Sequence, residues 1–366
     1  MKHVSCYAPY GEGGLGRHLE VIVEEARRTG DLAAYYGSRI KPGDVLGHRV
    51  DPRMVRWLLR APPFRFDLGW KDYIGGHLFD RAVAQRLVPC DTFHGFNGKA
   101  LYSFRAARAL GAEKLILESA NSHVSNVKAQ HVAARTLCPI ENTWLNSAQH
   151  DKALREYAMA DVIYVASSYS RQTFMERGVP ESKLRFRALT VSPRYQAFEP
   201  SEQTRPGFHI LFVGRVDITK GIHLLYKAFR RLDVPGARLS LVGGTSSRGM
   251  RRFMDRWLKE DSRVRLGAGD PLPLLGDADC LVHPSYEDGF ALAPMEALYC
   301  GIPVIVSADT GMKDYVVEGQ NGFVIPTGTW EPILETLQKI ARNPLRGKFP
   351  KPAYASGFSD PESADR

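Results

Sequence analysis

Two short stretches of this 366-residue chain carry residue types that could do chemistry together. The first is Gly214-Arg215-Val216-Asp217-Ile218-Thr219-Lys220-Gly221. It follows the apolar run His209-Ile210-Leu211-Phe212-Val213 and opens a segment where Ile222, Leu225, Ala228, Phe229 and Leu232 recur at helical spacing. Amides at a helix N-terminus favour an anion. Arg215 adds a planar fork and Lys220 a mobile point charge, a pair suited to a diphosphate. A surface turn with ordinary basic residues is the competing reading. The second stretch is Glu287-Asp288-Gly289-Phe290-Ala291-Leu292-Ala293-Pro294-Met295-Glu296. Gly289 lets the backbone approach a ligand closely. Asp288 and Glu296 could both point into one cleft and accept hydrogen bonds from sugar hydroxyls. An exposed acidic turn with a dipole-favoured glutamate competes, and it accounts for Glu296 but not for the whole cluster.

The elements that must hold these residues alternate. After His209–Val213, strand signals recur at Leu239–Val242, Val264–Leu266, Cys280–Val282 and Pro303–Val306, with Pro294 at a first helical position between the last two. Strands alternating with helices imply a parallel sheet covered on both faces, which binds ligands between a strand end and the next helix. The first half reads the same way, less regularly. Leu19, Val21, Ile22 and Ala26 fall on one side of a helix after a glycine-rich stretch. Leu115–Leu117 and Val162–Val165 read as strands, and Arg171–Arg177 as a helix closed before Gly178-Val179-Pro180. A polar, proline-bounded stretch near Pro200–Pro206 marks the boundary. The expected organisation is therefore an α/β domain over 1–200, a second over 201–345, and a polar Pro/Ser-rich tail over 346–366.

Composition narrows the class. With 44% hydrophobic and 24% charged residues, the chain is an ordinary globular protein and not a disulfide mini-protein, a collagen or a disordered acidic tail. No apolar run reaches membrane-span length, and no signal peptide is read at the start. The five cysteines are odd in number and scattered, so neither a disulfide framework nor a zinc site is expected, and the expected compartment is reducing cytosol. The net charge of +9 sits in the first part: residues 1–200 hold 28 basic and 20 acidic side chains, against 21 and 20 in residues 201–366. That surplus could attract phosphates, anionic lipid headgroups or nucleic acid, or be only a solvated surface. Arg53, Arg56 and Arg60 flank Trp57 and Leu58 at helical spacing. Packing into its own domain is the preferred reading of that stretch, and contact with an anionic membrane surface the alternative.

The motifs resemble the retaining glycosyltransferases of family four, which have the GT-B fold. The family's G-R-x-x-x-x-K-G pattern matches Gly214, Arg215, Lys220 and Gly221, and its E-G-F-G-L-x-x-x-E core matches Asp288-Gly289-Phe290-Ala291-Leu292 and Glu296. Ala297–Ile305 and Val317–Val324 also fit. The resemblance covers about residues 208–328, and more faintly Gly13–His18 and Tyr157–Ile163. It implies two Rossmann-like domains facing across a cleft, and transfer of a sugar from a nucleotide-sugar to an acceptor hydroxyl with retention. Arg215 and Lys220 would hold the donor diphosphate and Glu296 the ribose. Asp288, with the amides from Gly289 through Phe290, Ala291 and Leu292, would hold the sugar. Gly14, Leu15 and Gly16 would form the loop facing the phosphates. His123 would lie near the donor sugar, with His94 as its competitor. The family needs no divalent metal, so no metal and no separate cofactor are expected. Nor is nucleic acid an expected partner. The implied partners are the donor and a glycan or lipid-linked acceptor, in the cytoplasm or at the inner face of a membrane. Asp288 stands where the family usually has Glu, with Glu287 adjacent as the alternative sugar contact. Ala291 replaces the usual Gly, and Asp314 a common Glu.

Three decoys compete. Gly11-Glu12-Gly13-Gly14-Leu15-Gly16 spells a dinucleotide fingerprint, but the next apolar run, Leu32–Tyr36, ends at Gly37-Ser38 and not at an acid. Asp277-Ala278-Asp279 spells a metal–diphosphate motif of another fold, yet precedes a buried strand, with Asp279 expected to end a helix. His283 reads as local packing. On the same fold, an epimerase, a glycosyl phosphorylase or a catalytically silent nucleotide-sugar binding module are the alternative functions.

Overall fold

The computed structural model describes residues 1–51, 68–187, 189, 191–198, 207–347 and 349–352. The basic stretch around Trp57, the expected boundary at 200–206 and nearly all of the expected tail's end lie outside the described residues. The chain divides into two compact units, and not by a single cut. The first comprises 1–128, 144–166 and 170–187; the second comprises 129–143, 167–169 and 188–366.

The first unit is built on a seven-stranded sheet ordered β3-β2-β1-β4-β5-β6-β7. Its strands are β1 (Lys2–Pro9), β2 (Leu32–Arg39), β3 (Gly47–Arg49), β4 (Thr92–Phe96), β5 (Lys114–Ser119), β6 (Val162–Val165) and β7 (Leu184–Phe186), all paired in parallel. The second carries a six-stranded sheet ordered β10-β9-β8-β11-β12-β13. Its strands are β8 (Phe208–Val213), β9 (Ala237–Val242), β10 (Val264–Gly267), β11 (Cys280–His283), β12 (Val304–Ser307) and β13 (Gly322–Ile325), again all parallel. Both sheets contain the doubly wound 3-2-1-4-5-6 order. Its switch point, where ligands bind, falls between β1 and β4 in one unit and between β8 and β11 in the other.

The local patterns explain the elements. β8 is apolar except for His209 because a parallel strand is covered on both faces; Phe208, Ile210, Leu211 and Phe212 are all buried. The helix Ile222–Arg230 buries Ile222, Leu224, Leu225, Ala228 and Phe229 in the core beneath it. In the helix Gly13–Arg28 the buried stripe is Leu19, Ile22, Val23 and Ala26, so Val23 takes the place expected of Val21. The helix Leu292–Tyr299 has Pro294 in its first turn, where no intrahelical N–H is required. The helix near 171–177 runs from Ser168 to Met175. β2 ends on Ser38 and Arg39, so the strand that would present a ribose-binding acid in a dinucleotide site carries a cation there.

Candidate functional site

The sharpest constellation lies at the switch point of the second unit. β8 ends at Val213, and Gly214 takes φ 149°, a turn closed by its N–H to the carbonyl of Val242 at 2.9 Å. The chain then runs through Arg215 to Gly221, which caps the helix with φ 70°. A Cβ on Gly221 would sit 2.0 Å from the carbonyl oxygen of Pro284, so this glycine permits the loop after β8 to touch the loop after β11.

Asp217 organises the loop. Its buried carboxylate accepts from the Arg215 Nε, from Thr219 Oγ1 at 2.8 Å and from the Lys220 N–H at 2.9 Å. Burial is the largest single influence and would raise the Asp217 pKa, but Arg215, Lys220 and the Thr219 hydrogen bond together outweigh it and hold the carboxyl below its usual range. Arg215 is gripped through Nε, which leaves both terminal nitrogens of its fork for an anion. Glu141 holds the same loop from beneath. It accepts from the Ile218 N–H at 2.8 Å and from the hydroxyls of Ser246 and Ser247. Neither Asp217 nor Glu141 was singled out from sequence. Asp217 lay inside the motif. For Glu141, 77 positions from Ile218, no local pattern points to the contact.

Lys220 reaches across to β11. Its Nζ forms an ion pair with Asp288 Oδ2, and His283 Nε2 lies 3.2 Å from the same oxygen. Burial would raise the Asp288 pKa; Lys220 and the His283 hydrogen bond reverse that and hold it well below the usual carboxylate range. His283, read as packing, does stack on Phe212, with rings 7° from parallel, but it also bonds to the site. The main chain of Asp288 is fixed as well: its N–H donates to the Asp309 carbonyl at 3.3 Å and its carbonyl accepts from the Gly311 N–H at 2.9 Å. Glu287 is buried at 4% exposure, so of the two neighbouring acids it is Asp288 that meets Lys220.

The loop beyond is tightly shaped. The Gly289 carbonyl accepts from Ser167 Oγ at 2.5 Å, and Phe290 packs edge-on against Tyr315. Ala291 has φ 68°, the single positive-φ non-glycine among the described residues, and caps the helix that starts at Leu292. Glu296 is buried in that helix. Asp314 accepts from the N–H of Ser168 at 2.9 Å and from its hydroxyl at 2.6 Å. Asn321 ties the turn before β13, accepting from the Val317 N–H and donating to the Tyr315 carbonyl.

The remaining expected residues belong to the first unit. Gly14, Leu15 and Gly16 open the helix after β1; Gly14 and Leu15 are exposed, while Gly16 is buried and a Cβ there would lie 2.0 Å from the Pro9 carbonyl oxygen. His123 follows β5, buried against Tyr157 and Phe174, with its Nδ1 accepting from the Ser125 N–H at 3.1 Å. Burial pushes its pKa down to about 4. His94 is fully enclosed and bonds Glu118 at 2.8 Å; His18 Nε2 lies 2.9 Å and Arg187 Nε 3.4 Å from the same carboxylate.

The decoy carboxylates are occupied. Asp277 pairs with Arg238 and His209, and Asp279 accepts from the His209 N–H at 2.7 Å. Asp279 therefore tethers the start of β8; the short helix Leu272–Leu275 ends well before it. Among the described residues no cluster of three or more His, Cys, Asp or Glu side chains could hold a metal ion, and no helix is long and apolar enough to cross a membrane.

Comparison with known proteins agrees with this geometry. Residues 196–355 match the family model described as glycosyl transferases group 1. A D-inositol 3-phosphate glycosyltransferase of Mycobacteroides abscessus is 31% identical over 170 residues, 43% of this chain and 37% of that protein. The capsular polysaccharide biosynthesis glycosyltransferase CapM of Staphylococcus aureus is 30% identical over 138 residues, 36% of each. The chain thus matches little more than a third of the length of these relatives. Among solved structures, sucrose-phosphate synthase from Thermosynechococcus elongatus superposes with a TM-score of 0.70 at 19% identity, covering 94% of this chain and 90% of that one. Anabaena HepE in complex with UDP-glucose gives 0.64 at 16%, covering 93% and 89%. The fold is therefore GT-B, and the likeness to the group 1 glycosyl transferases covers residues 196–355, less than half of the chain.

Proposed function

We propose that this protein is a retaining glycosyltransferase that moves a sugar from a nucleoside-diphosphate sugar to an acceptor hydroxyl. One observation carries the reading: in the segment that matches the group 1 family, Arg215 and Lys220 stand at a Rossmann switch point with Asp288. The two cations and the amides at the start of the helix after Gly221 take the diphosphate and stabilise the charge that builds on it as the glycosidic bond breaks. Glu296 takes the ribose hydroxyls. Asp288 and the amides of Gly289–Leu292 take the donor sugar. The resemblance also assigns Gly14, Leu15, Gly16 and His123 to the donor and acceptor. In the retaining mechanism of the resemblance the leaving phosphate helps deprotonate the acceptor on the same face, so the protein supplies position and charge. That structural neighbours are bound to UDP, UDP-glucose, or ADP with acarbose supports a nucleotide-sugar donor and a glycan acceptor. CapM's name supports a role in glycan synthesis. Five buried cysteines outside any disulfide support a reducing, cytoplasmic compartment, and the basic surplus of residues 1–200 supports contact with an anionic membrane surface.

The experiment is a binding screen against UDP-, GDP- and ADP-sugars, then mass spectrometry and anomeric NMR of products from a labelled donor. The expected product is an acceptor glycoside with the donor's anomeric configuration. An inverted glycoside overturns retention. An epimerised donor, a sugar 1-phosphate, or tight binding without turnover over a broad acceptor panel overturns the transferase, in favour of an epimerase, a phosphorylase or a silent binding module respectively.

A further inference from the structure

The donor reading leaves one arrangement to be explained. Lys220, assigned to the diphosphate, and Asp288, assigned to the sugar, are paired with each other. Neither can keep that contact in full and also serve the donor. A third side chain meets the pair: His283 Nε2 lies 3.2 Å from the Asp288 oxygen that receives Lys220. His283 is the last residue of β11, 3% exposed, and its ring lies along Phe212. Its Nδ1 is buried with no hydrogen-bond partner among the described residues, so Asp288 takes the imidazole's one hydrogen bond there. An ionised carboxylate only accepts, which puts the ring proton on Nε2.

We propose that His283 is a positioning residue that holds Asp288 through an exchange of partners. In the resting protein Lys220 and His283 share Oδ2. When a diphosphate arrives, Lys220 turns to its oxygens, and the carboxylate would be left as a part-buried, uncompensated charge. His283 keeps it charged and aimed, and the lone pairs that Lys220 releases are free to accept sugar hydroxyls. The donor's diphosphate thereby arms the residue that reads its sugar. This inference rests on the donor reading above.

The test uses the full chain with H283L, H283Q, D288N and the H283L/D288N double variant, each checked by thermal melting. H283L lowers kcat with the sugar donor about ten- to a hundredfold, the scale of a lost hydrogen bond to a charged group, while the Kd for the nucleoside diphosphate moves less than about twofold. H283Q, whose amide can donate from a similar position, recovers most of kcat. In the D288N background H283L adds less than about twofold, because the two act as one unit. Full additivity with D288N, or equal losses in H283L and H283Q, overturns the proposal. A second arm needs no turnover: pulse acetylation read by mass spectrometry. Lys220 labels slowly in the parent and several-fold faster in D288N, with H283L between them, and nucleoside diphosphate protects it in all three. Unchanged labelling across the variants overturns the exchange. Absence of sugar transfer in the parent, with labelling as expected, overturns the donor reading instead. If H283L does not fold, H283Q and D288N decide by the same readouts.

Discussion

At the scale of single residues, the phosphate reading rests on how Arg215 and Lys220 are held. Asp217 fixes Arg215 through Nε, so that cation is oriented before any ligand arrives, and it anchors the Lys220 backbone through its N–H while the Lys220 ammonium pairs with Asp288. Preorganised charge of this kind acts where charge develops in the transition state. Arg215→Ala and Lys220→Ala should each lose about 2–4 kcal/mol of transition-state stabilisation, read as kcat/KM with the sugar donor. Arg215→Lys should recover only part, because an ammonium cannot present the fork. Near-parental kinetics in both alanine variants would remove the assignment. The same cations bear on metal dependence. With the diphosphate met by Arg215, Lys220 and helix amides, activity should survive exhaustive chelation with EDTA. Loss of activity restored by manganese would call for a divalent ion. Asp277 and Asp279 could then serve only by giving up Arg238 and His209.

At the scale of elements, the site is two loops fastened by residues remote in sequence. Glu141→Ala would strip the Ile218 N–H and the hydroxyls of Ser246 and Ser247 of a shared acceptor. The expected cost is about 1–3 kcal/mol of unfolding free energy, read from denaturant melts, with a weaker grip on nucleotide because Ile218 lies in the loop proposed to hold the phosphates. Unchanged stability and nucleotide affinity would show the clamp to be idle. Ala291 sits where a helix begins from positive φ, which a Cβ resists. Ala291→Gly should therefore raise stability by up to about 1 kcal/mol, the released strain exceeding the added freedom of the unfolded chain. A lower melting point would mean that the methyl contact outweighs the strain. These cases also mark what could be read from sequence. β8, the helix after Gly221 and the Asp288–Glu296 loop were legible, because an apolar run, a helical stripe and a glycine turn are local patterns. The Lys220–Asp288 pair, the Glu141 clamp and the bond from Ser167 to Gly289 span 68, 77 and 122 positions, and no periodicity encodes them. The interleaving of 129–143 and 167–169 with the second unit was invisible for the same reason: a lone carboxylate or serine carries no sign of which sheet it will meet.

At the scale of the whole molecule, eight of the eleven histidines are buried, and this sets how the fold answers to acid. Burial pushes the pKa of His123 and His223 down to about 4 and that of His131 to about 3, from an ordinary 6.5. They lie in both units: His123 packs on Tyr157 in the first, and His223 bonds the Tyr286 hydroxyl at 3.0 Å in the second. Native imidazoles stay neutral between about pH 6.5 and 4, whereas the same rings in the unfolded chain take up protons across that range. The unfolded state then binds more protons than the native one, so stability rises with pH there and is lost as pH falls. Glu118 and Asp288 act in the same sense at lower pH. Burial would raise both pKa values, but His18, His94 and Arg187 around Glu118, and Lys220 and His283 around Asp288, together outweigh it and hold them below 4.5 and 3.8. Their contribution is present above the unfolded carboxyl pKa and is lost only as pH drops beneath it. Unfolding between pH 6.5 and 4.5 should therefore be linked to uptake of more than one proton, carried by histidines, with a further steepening below about pH 4.5. Denaturant titrations at half-unit pH steps measure that slope. His223→Gln, which keeps a polar partner for Tyr286, should flatten it between 6.5 and 4.5 and leave the carboxylate limb unchanged. A stability profile level from pH 7 to 5 would mean that these imidazoles are protonated in the native fold.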